Sequence, residues 1–314
     1  MKIALLQLNM TVGELAGNAQ RLEKACREAR EQGADLCVAT ELAICGYPPK
    51  DLLLYPSFVQ SCWDTCQRLA ESLKQGPPLL AGLPEISDLP NGNPLYNSAA
   101  LLKKGEIRGT FRKNLLPTYD VFDERRYFAE GGSLGMAMVG EYRLGVTICE
   151  DVWNDKDFWK GRRYYDQDPM EVLARTTVDA VVNLSASPFN LGKPRVRESM
   201  LSSLAAKHKM PVLYANQVGA NDDLVFDGLS LVLDRKGKVC ARAAGFTEGI
   251  LYADMKDLTP LPGSAPDPQQ ADEAWQALVL GVRDYVRKCG FSSAVLGLSG
   301  GIDSALTAAI AVEA

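Results

Sequence analysis

Apolar and polar positions alternate in short blocks along this chain, and the blocks switch between two periods. Ile3 to Leu8 is a short apolar run that reads as a strand. Asn18 is placed to cap a following helix, with Leu22, Ala25, Cys26 and Ala29 on one face and Gly33 at its end. Leu36 to Thr40 is a second apolar run, so the opening reads strand, helix, strand and argues for an α/β fold. Ser57 to Lys74 has helical spacing in Phe58, Cys62, Cys66, Leu69 and Leu73, and Pro78 to Leu83 reads as a third strand. Hairpins follow, pairing Asn97–Leu102 with Ile107–Arg112 and Met136–Val139 with Tyr142–Ile148. A helix near Glu171 to Thr177, a strand at Ala180 to Ser185, a helix near Arg195 to Lys207 and a strand at Val212 to Asn216 resume the alternation. A last hairpin pairs Leu229–Leu233 with Lys238–Ala241. Hairpins mixed with strand–helix–strand units predict mixed sheets covered by helices rather than one parallel sheet.

Chemistry concentrates where apolar runs stop. The run Leu144 to Ile148 ends at Cys149, and Glu150 and Asp151 follow at once. In open α/β sheets ligands bind beyond the carboxyl ends of strands, so a thiol there faces a pocket; the ordinary alternative is a buried structural cysteine. Glu41 directly follows Leu36 to Thr40, and Lys113 closes the strand that begins at Ile107. Singly, a glutamate or lysine after a strand is ordinarily a solvated loop residue. Together the three form a coherent device: a carboxylate to take a thiol proton, an ammonium to stabilise an oxyanion, and a cysteine to form a covalent intermediate.

The histidine count supports that device. The chain has one histidine, His208, in AAKHKM at the predicted end of a helix among lysines. A solvated place near a helix C-terminus suits it. Most cysteine or serine hydrolases need an imidazole base and most zinc enzymes need several histidines, so a carboxylate is the expected base here.

Composition narrows the class. With 314 residues, 46% apolar and 23% charged, the chain is a soluble-globular type with one large or two ordinary domains. A net charge of −5 gives no reason to expect nucleic acid or an anionic membrane as partner. No apolar segment is long enough to cross a bilayer. KIALLQL at the N-terminus has no signal-peptide pattern. Eight cysteines without a CxxC pair argue against a zinc ribbon and fit reduced, cytoplasmic thiols. Cys62 and Cys66, four residues apart, suit core packing better than metal binding.

Three blocks carry a resemblance. ATELAICGYPPKDLL, FRKNLLPTYDVFDERRYF and LGVTICEDVW look like the signature blocks of the nitrilase (carbon–nitrogen hydrolase) superfamily, in the family's order, over residues 1 to 258. The resemblance implies a four-layer αββα sandwich and a Glu–Lys–Cys triad, here Glu41, Lys113 and Cys149. It adds a supporting glutamate, for which Glu124 is the counterpart. The implied reaction is amide hydrolysis through a thioester.

The C-terminal stretch narrows the amide. Thr259 to Gln270, TPLPGSAPDPQQ, reads as an interdomain linker. Beyond it, Trp275, Leu278, Val279, Val282, Tyr285 and Val286 share one helical face. Ala294 to Leu298 is strand-like, Ser299-Gly300-Gly301-Ile302-Asp303-Ser304 is a loop, and Ala305 to Val312 is helical. Strand, Gly-rich loop and helix make an anion-binding arrangement; a tight strand-to-helix turn that uses glycine for conformation alone is the alternative. It lacks the Gly-Lys-Ser/Thr of a Walker A loop. SGGIDS resembles the pyrophosphate loop of ATP-pyrophosphatases.

A nitrilase-like domain (1–258), a linker (259–270) and the start of a nucleotide-binding α/β domain (271–314) together resemble the bacterial glutamine-dependent NAD⁺ synthetases. That resemblance implies glutamine hydrolysis supplying ammonia, through a tunnel, for ATP- and Mg²⁺-dependent amidation of nicotinate adenine dinucleotide (deamido-NAD⁺). It implies Tyr119, Ser187 and Lys193 as glutamine-binding, and Gly297, Ser299, Gly300, Gly301, Asp303 and Ser304 as ATP-binding, with no metal ligand set within the chain. It also implies a homo-oligomer without a prosthetic group. Glu150 with Asp151 could hold an α-amino group, or serve a helix N-terminus. The pattern stops one helix after the loop, so the expectation is a fragment that retains only the glutaminase part. Two other readings remain: a superfamily amidase for another small ω-amide, and a non-catalytic nitrilase-like scaffold.

Overall fold

The computed structural model describes residues 1–160, 164–258 and 270–314. In chain order the elements are β1 (Lys2–Gln7), α1 (Leu15–Glu31), β2 (Leu36–Val38), α2 (Pro56–Ser72), β3 (Leu79–Ile86), β4 (Leu95–Lys103), β5 (Glu106–Arg112), β6 (Gly135–Val139), β7 (Tyr142–Ile148) and α3 (Pro169–Ala174). They continue with β8 (Ala180–Ser185), α4 (Lys193–His208), β9 (Val212–Asn216), β10 (Val218–Asn221), β11 (Leu224–Asp227), β12 (Leu231–Leu233), β13 (Val239–Arg242), β14 (Gly249–Asp254), α5 (Gln270–Lys288) and α6 (Ile302–Glu313).

Two six-stranded sheets run β14-β1-β2-β3-β4-β5 and β13-β12-β9-β8-β7-β6. In each, three central strands are parallel (β1, β2, β3; β7, β8, β9) and the flanking strands are antiparallel. The parallel strands carry apolar residues on both faces, as burial on both sides requires. Ile3, Leu5, Val38 and Leu80 of the first sheet meet Leu144, Val146, Val182 and Leu213 of the second. Leu22, Cys26, Cys62 and Cys66 of α1 and α2 cover the outer face of the first sheet over Leu6, Cys37 and Ala81. Met170, Met200, Leu201 and Leu204 of α3 and α4 cover the second over Val212 and Tyr214. The result is the expected four-layer αββα sandwich with mixed sheets.

Several details differ from the sequence reading. Asn18 does not cap α1. The helix begins at Leu15 with Glu14 as cap, and Asn18 is buried inside it, bonded to Thr11 N, Thr11 O and Ile44 O. Its side chain ties two loops together, a tertiary role that looks identical to a cap in one dimension. His208 closes α4 but is only half exposed, and its Nε2 is buried without a hydrogen-bond partner. Ala294–Leu298 forms no strand, because no neighbouring strand pairs with it; Val295 is 100% exposed. The linker reading falls on residues outside the description, apart from Gln270, which opens α5.

α5 docks only partly by the face its apolar spacing marks: of that face Val279 is buried and Trp275 and Val286 are half-buried. Ala277 and Leu280 pack against Val218, Val225 and Phe246. Asp284 accepts from Ala220 N and Asn9 Nδ2, and Lys288 Nζ donates to Asn9 Oδ1, Met10 O, Ala220 O and Asn221 Oδ1 at 2.7–3.0 Å. Leu278, Val282 and Tyr285 remain exposed. No helix among the described residues is long and apolar enough to cross a membrane.

Candidate active site

The site forms where both sheets end at the same edge. Glu41 follows β2, Lys113 follows β5, Cys149 follows β7 and Ser187 follows β8. Two of these turns need unusual backbone. Cys149 itself has φ +41° and starts a single 3₁₀ turn (Cys149–Val152), and Leu42, next to Glu41, has φ +47°. Non-glycine residues hold such angles only where the surroundings over-determine them. At Glu41 the surroundings are Gly82 of β3. A Cβ there would sit 2.1 Å from Leu42 N, so only glycine lets the strand pass this close to the turn.

Glu41 and Lys113 are fully buried and bonded to each other, Nζ to Oε1 at 2.7 Å. Asn97 Nδ2 also donates to Glu41 Oε1, at 2.8 Å, and Ala186 N donates to Oε2 at 3.1 Å. Lys113 Nζ donates a second bond to Glu124 Oε1 at 2.8 Å, and Tyr47 OH donates to the same oxygen at 2.9 Å. An ammonium has three donors, so one remains after the two carboxylates.

Burial pulls the Lys113 ammonium down, but Glu124 and Glu41 outweigh it and hold it well above its ordinary range. Burial pushes the Glu124 carboxyl up to about 7 against the pull of Lys113. Burial likewise pushes the Cys149 thiol well up, Glu41 adds to this, and Lys113 opposes it. The resting cysteine is therefore a thiol that needs a base at the moment of attack.

Cys149 opens into a cavity of about 900 Å³, lined also by Glu150, Tyr119, Tyr165, Ser187, Lys193 and the rings of Phe122 and Trp153. Glu150 accepts from Tyr119 OH at 2.7 Å and Tyr165 OH at 3.2 Å. Lys193 Nζ donates to Pro188 O at 2.9 Å and lies 5.5 Å from the Trp153 ring centre. Burial lowers its pKa. Lys193 is the first residue of α4, where the helix dipole is positive and a cation is disfavoured unless an anion joins it.

Thus Tyr119, Cys149, Glu150, Ser187 and Lys193 share one cavity, and Glu41, Lys113 and Glu124, bonded to one another, act electrostatically on Cys149. Glu150 and Asp151 part company: the first faces the cavity, the second faces backbone amides. The loop Ser299–Ser304 lies elsewhere and is exposed. Gly300 has φ +85°, Ser299 Oγ and Ser304 Oγ are 3.0 Å apart, and Ser304 Oγ donates to Gly301 O. Gly297 and Asp303 are exposed beside it.

Sequence reasoning missed Asn97, Tyr47 and Tyr165. Asn97 had a signal, being a polar residue inside the apolar stretch Leu95–Leu102. Tyr47 sits in the glutamate block itself. Tyr165 carried none.

The profile of the carbon–nitrogen hydrolase family matches residues 2–260. The chain belongs to the carbon–nitrogen hydrolase family. The profile of the NAD synthase family matches residues 274–314. The glutamine-dependent NAD(+) synthetase of Synechocystis is 48% identical over 319 aligned residues, covering 99% of this chain and 57% of that protein. The solved glutamine-dependent NAD⁺ synthetase of Acinetobacter baumannii, in complex with ADP, superposes with a TM-score of 0.88 at 37% identity, covering 99% of this chain and 57% of its own. A nitrilase-superfamily amidase from Nesterenkonia AN1 superposes at 0.68 and 24% identity over 81% of this chain and 90% of its own, a likeness of fold. The chain spans about half the length of the curated relatives it matches.

Proposed function

We propose that this chain hydrolyses the side-chain amide of L-glutamine and is the glutaminase part of a glutamine-dependent NAD⁺ synthetase. The observation that carries the reading is charge placement around one thiol. Glu150 and Lys193 put opposite charges on the wall of the cavity that Cys149 enters, and an α-amino acid carries the complementary pair. Glu150, backed by two phenols, takes the ammonium. Lys193 and Ser187, at and before the start of α4, take the carboxylate. A side-chain amide then reaches the thiol.

Glu41 accepts the proton of Cys149 as sulfur bonds to the amide carbon. Lys113 and the N–H of Glu150 stabilise the oxyanion. The C–N bond breaks, Glu41 returns its proton to the leaving ammonia, and a thioester remains. Glu41 next takes a proton from water, which attacks the thioester and releases glutamate and the thiol. Glu124 shares Lys113 with Glu41 and so sets the charge beside the oxyanion.

The similarity to the synthetases supports the destination of the ammonia: ATP-dependent amidation of deamido-NAD⁺ by a second domain that begins after a linker. The proposed division is 1–258, 259–270 and 271–314. Gly297, Ser299, Gly300, Gly301, Asp303 and Ser304 would face ATP phosphates. Mg²⁺ would arrive with the nucleotide, and Asp303 is the sole carboxylate between Ser299 and Ser304. A cytoplasmic homo-oligomer completes the reading.

Incubation with glutamine should yield glutamate and ammonia in equal amounts, and Cys149→Ala should abolish both. Folded protein that hydrolyses another ω-amide but not glutamine would move the reading to a general amidase. Folded protein whose Cys149 resists a glutamine-like electrophile as well as its other cysteines do would favour a scaffold.

A further inference from the structure

We infer that Asp151 is a positioning residue that fastens the segment carrying Lys113 to the turn carrying Cys149. This rests on the proposed use of both residues in amide hydrolysis. Asp151 is buried and is not among the residues lining the Cys149 cavity. Oδ2 accepts from Ile148 N at 3.0 Å, the local bond expected of a carboxylate in the first turn of a helix. Oδ1 does something a cap does not. It accepts from Asn114 N and Leu115 N, both at 2.9 Å, from residues 37 and 36 positions earlier in the chain.

The two sheets make this fastening necessary. Lys113 leaves the edge strand β5 of the first sheet, and Cys149 leaves β7 of the second. β5 and β7 share no ladder, so sheet hydrogen bonds do not fix the distance between their ends. One carboxylate spans the gap, bonding the two residues after Lys113 with one oxygen and the residue before Cys149 with the other. Three amide donors that would otherwise be buried without partners are satisfied by it. Burial pushes its carboxyl up to about 6 against those bonds, a cost that a merely local cap at the surface would not carry.

Asparagine is the informative replacement. It keeps the shape but presents one acceptor oxygen and one NH₂, so it can satisfy one side of the gap and must face the other with a donor. In Asp151→Asn, kcat for glutamine should fall by roughly tenfold to a hundredfold, the scale of a small misplacement of reacting groups. KM should change by less than kcat, because Lys193 and Ser187 lie on segments that Asp151 does not join, although Glu150 shares its turn. A folded variant with wild-type kcat overturns the inference, as does one whose loss lies in KM. A wild-type chain that ignores glutamine ends the functional reading instead. The same two proteins are then compared by the rate at which iodoacetamide alkylates Cys149, read by peptide mapping; equal rates overturn the fastening. Should the variant not fold, residue-resolved amide exchange on the wild type decides: Asn114 and Leu115 should exchange slowly, and exchange as fast as in exposed loops overturns it.

Discussion

The turn after β7 and the loop before α6 are made of similar parts: a short apolar run, small or polar residues, and the start of a helix. In the first, the charged side chains are interlocked, although Glu124 Oε2 and Asn97 Oδ1 are buried without a partner. Glu41 has bonds from Lys113, Asn97 and Ala186, Glu124 from Lys113 and Tyr47, and Glu150 from two phenols. In the second, Ser299 and Ser304 bond each other and the loop's own backbone, and the preceding run forms no strand. Residue types suffice to suggest chemistry at both places. Geometry comes only where two packed sheets surround the groups. The first region is therefore sensitive to single substitutions in both activity and stability, and the second is not.

Lys113→Met should break the first region most. It removes an oxyanion donor, worth roughly a hundredfold to a thousandfold in kcat. It also leaves two carboxylates buried together without their cation, which costs about 3–5 kcal/mol. Steady-state assays and urea unfolding measure the two effects. Turnover within tenfold of wild type would remove Lys113 from the mechanism.

Lys193→Met should act on binding alone. A charged hydrogen bond to the substrate carboxylate is worth about 1.5–3 kcal/mol, so KM for glutamine should rise roughly tenfold to a hundredfold with kcat nearly unchanged. Amides without an α-carboxylate should lose nothing. A fall in kcat with KM unchanged would place Lys193 in the chemistry and not in recognition.

Glu124→Gln sharpens the electrostatic side. The folded pKa of Glu124, about 7, lies above its ordinary 4.5. Between those values the folded state binds the extra proton, so this group's contribution to stability falls as pH rises from 4.5 to 7. Glutamine cannot titrate. The melting temperature of the variant, relative to wild type, should therefore climb across that window. A constant difference would mean Glu124 titrates at its ordinary value.

Much of the first region was legible in sequence because short continuous apolar runs stop just before Glu41 and Cys149, and Lys113 closes a hairpin strand, each with a change of residue type. The same runs predicted mixed sheets covered by helices, while the αββα layering came from the family resemblance. What failed did so where tertiary partners decide. Asn18 looks like a cap, yet it bonds Thr11 and Ile44. The hairpin β10–β11 and the strand β14 were not read from the sequence; their apolar runs are short, and they pair with the Pro188–Phe189 loop and with β1. The apolar face of α5 is only half covered, with Val279 buried and Leu278, Val282 and Tyr285 exposed, because Asp284 and Lys288 also dock the helix through bonds to buried partners that no periodicity reveals.

Asp303→Ala tests the quiet side of the comparison and should have the smallest effect. Asp303 is an exposed residue in the first turn of α6, where a carboxylate helps a helix by about 0.3–1 kcal/mol. That benefit belongs to α6 alone. α6 meets the rest of the chain through α5, by Trp275 Nε1 donating to Glu313 Oε2 and Arg283 donating to the last two carbonyls. Local opening of such a helix precedes global unfolding and does not enter its free energy. Glutamine turnover should stay within error, and the melting temperature should move by no more than about a degree, as for other exposed substitutions. A shift of several degrees would mean that the loop and the buried triad unfold as one unit, and the contrast between held and unheld regions would fail at its weaker end.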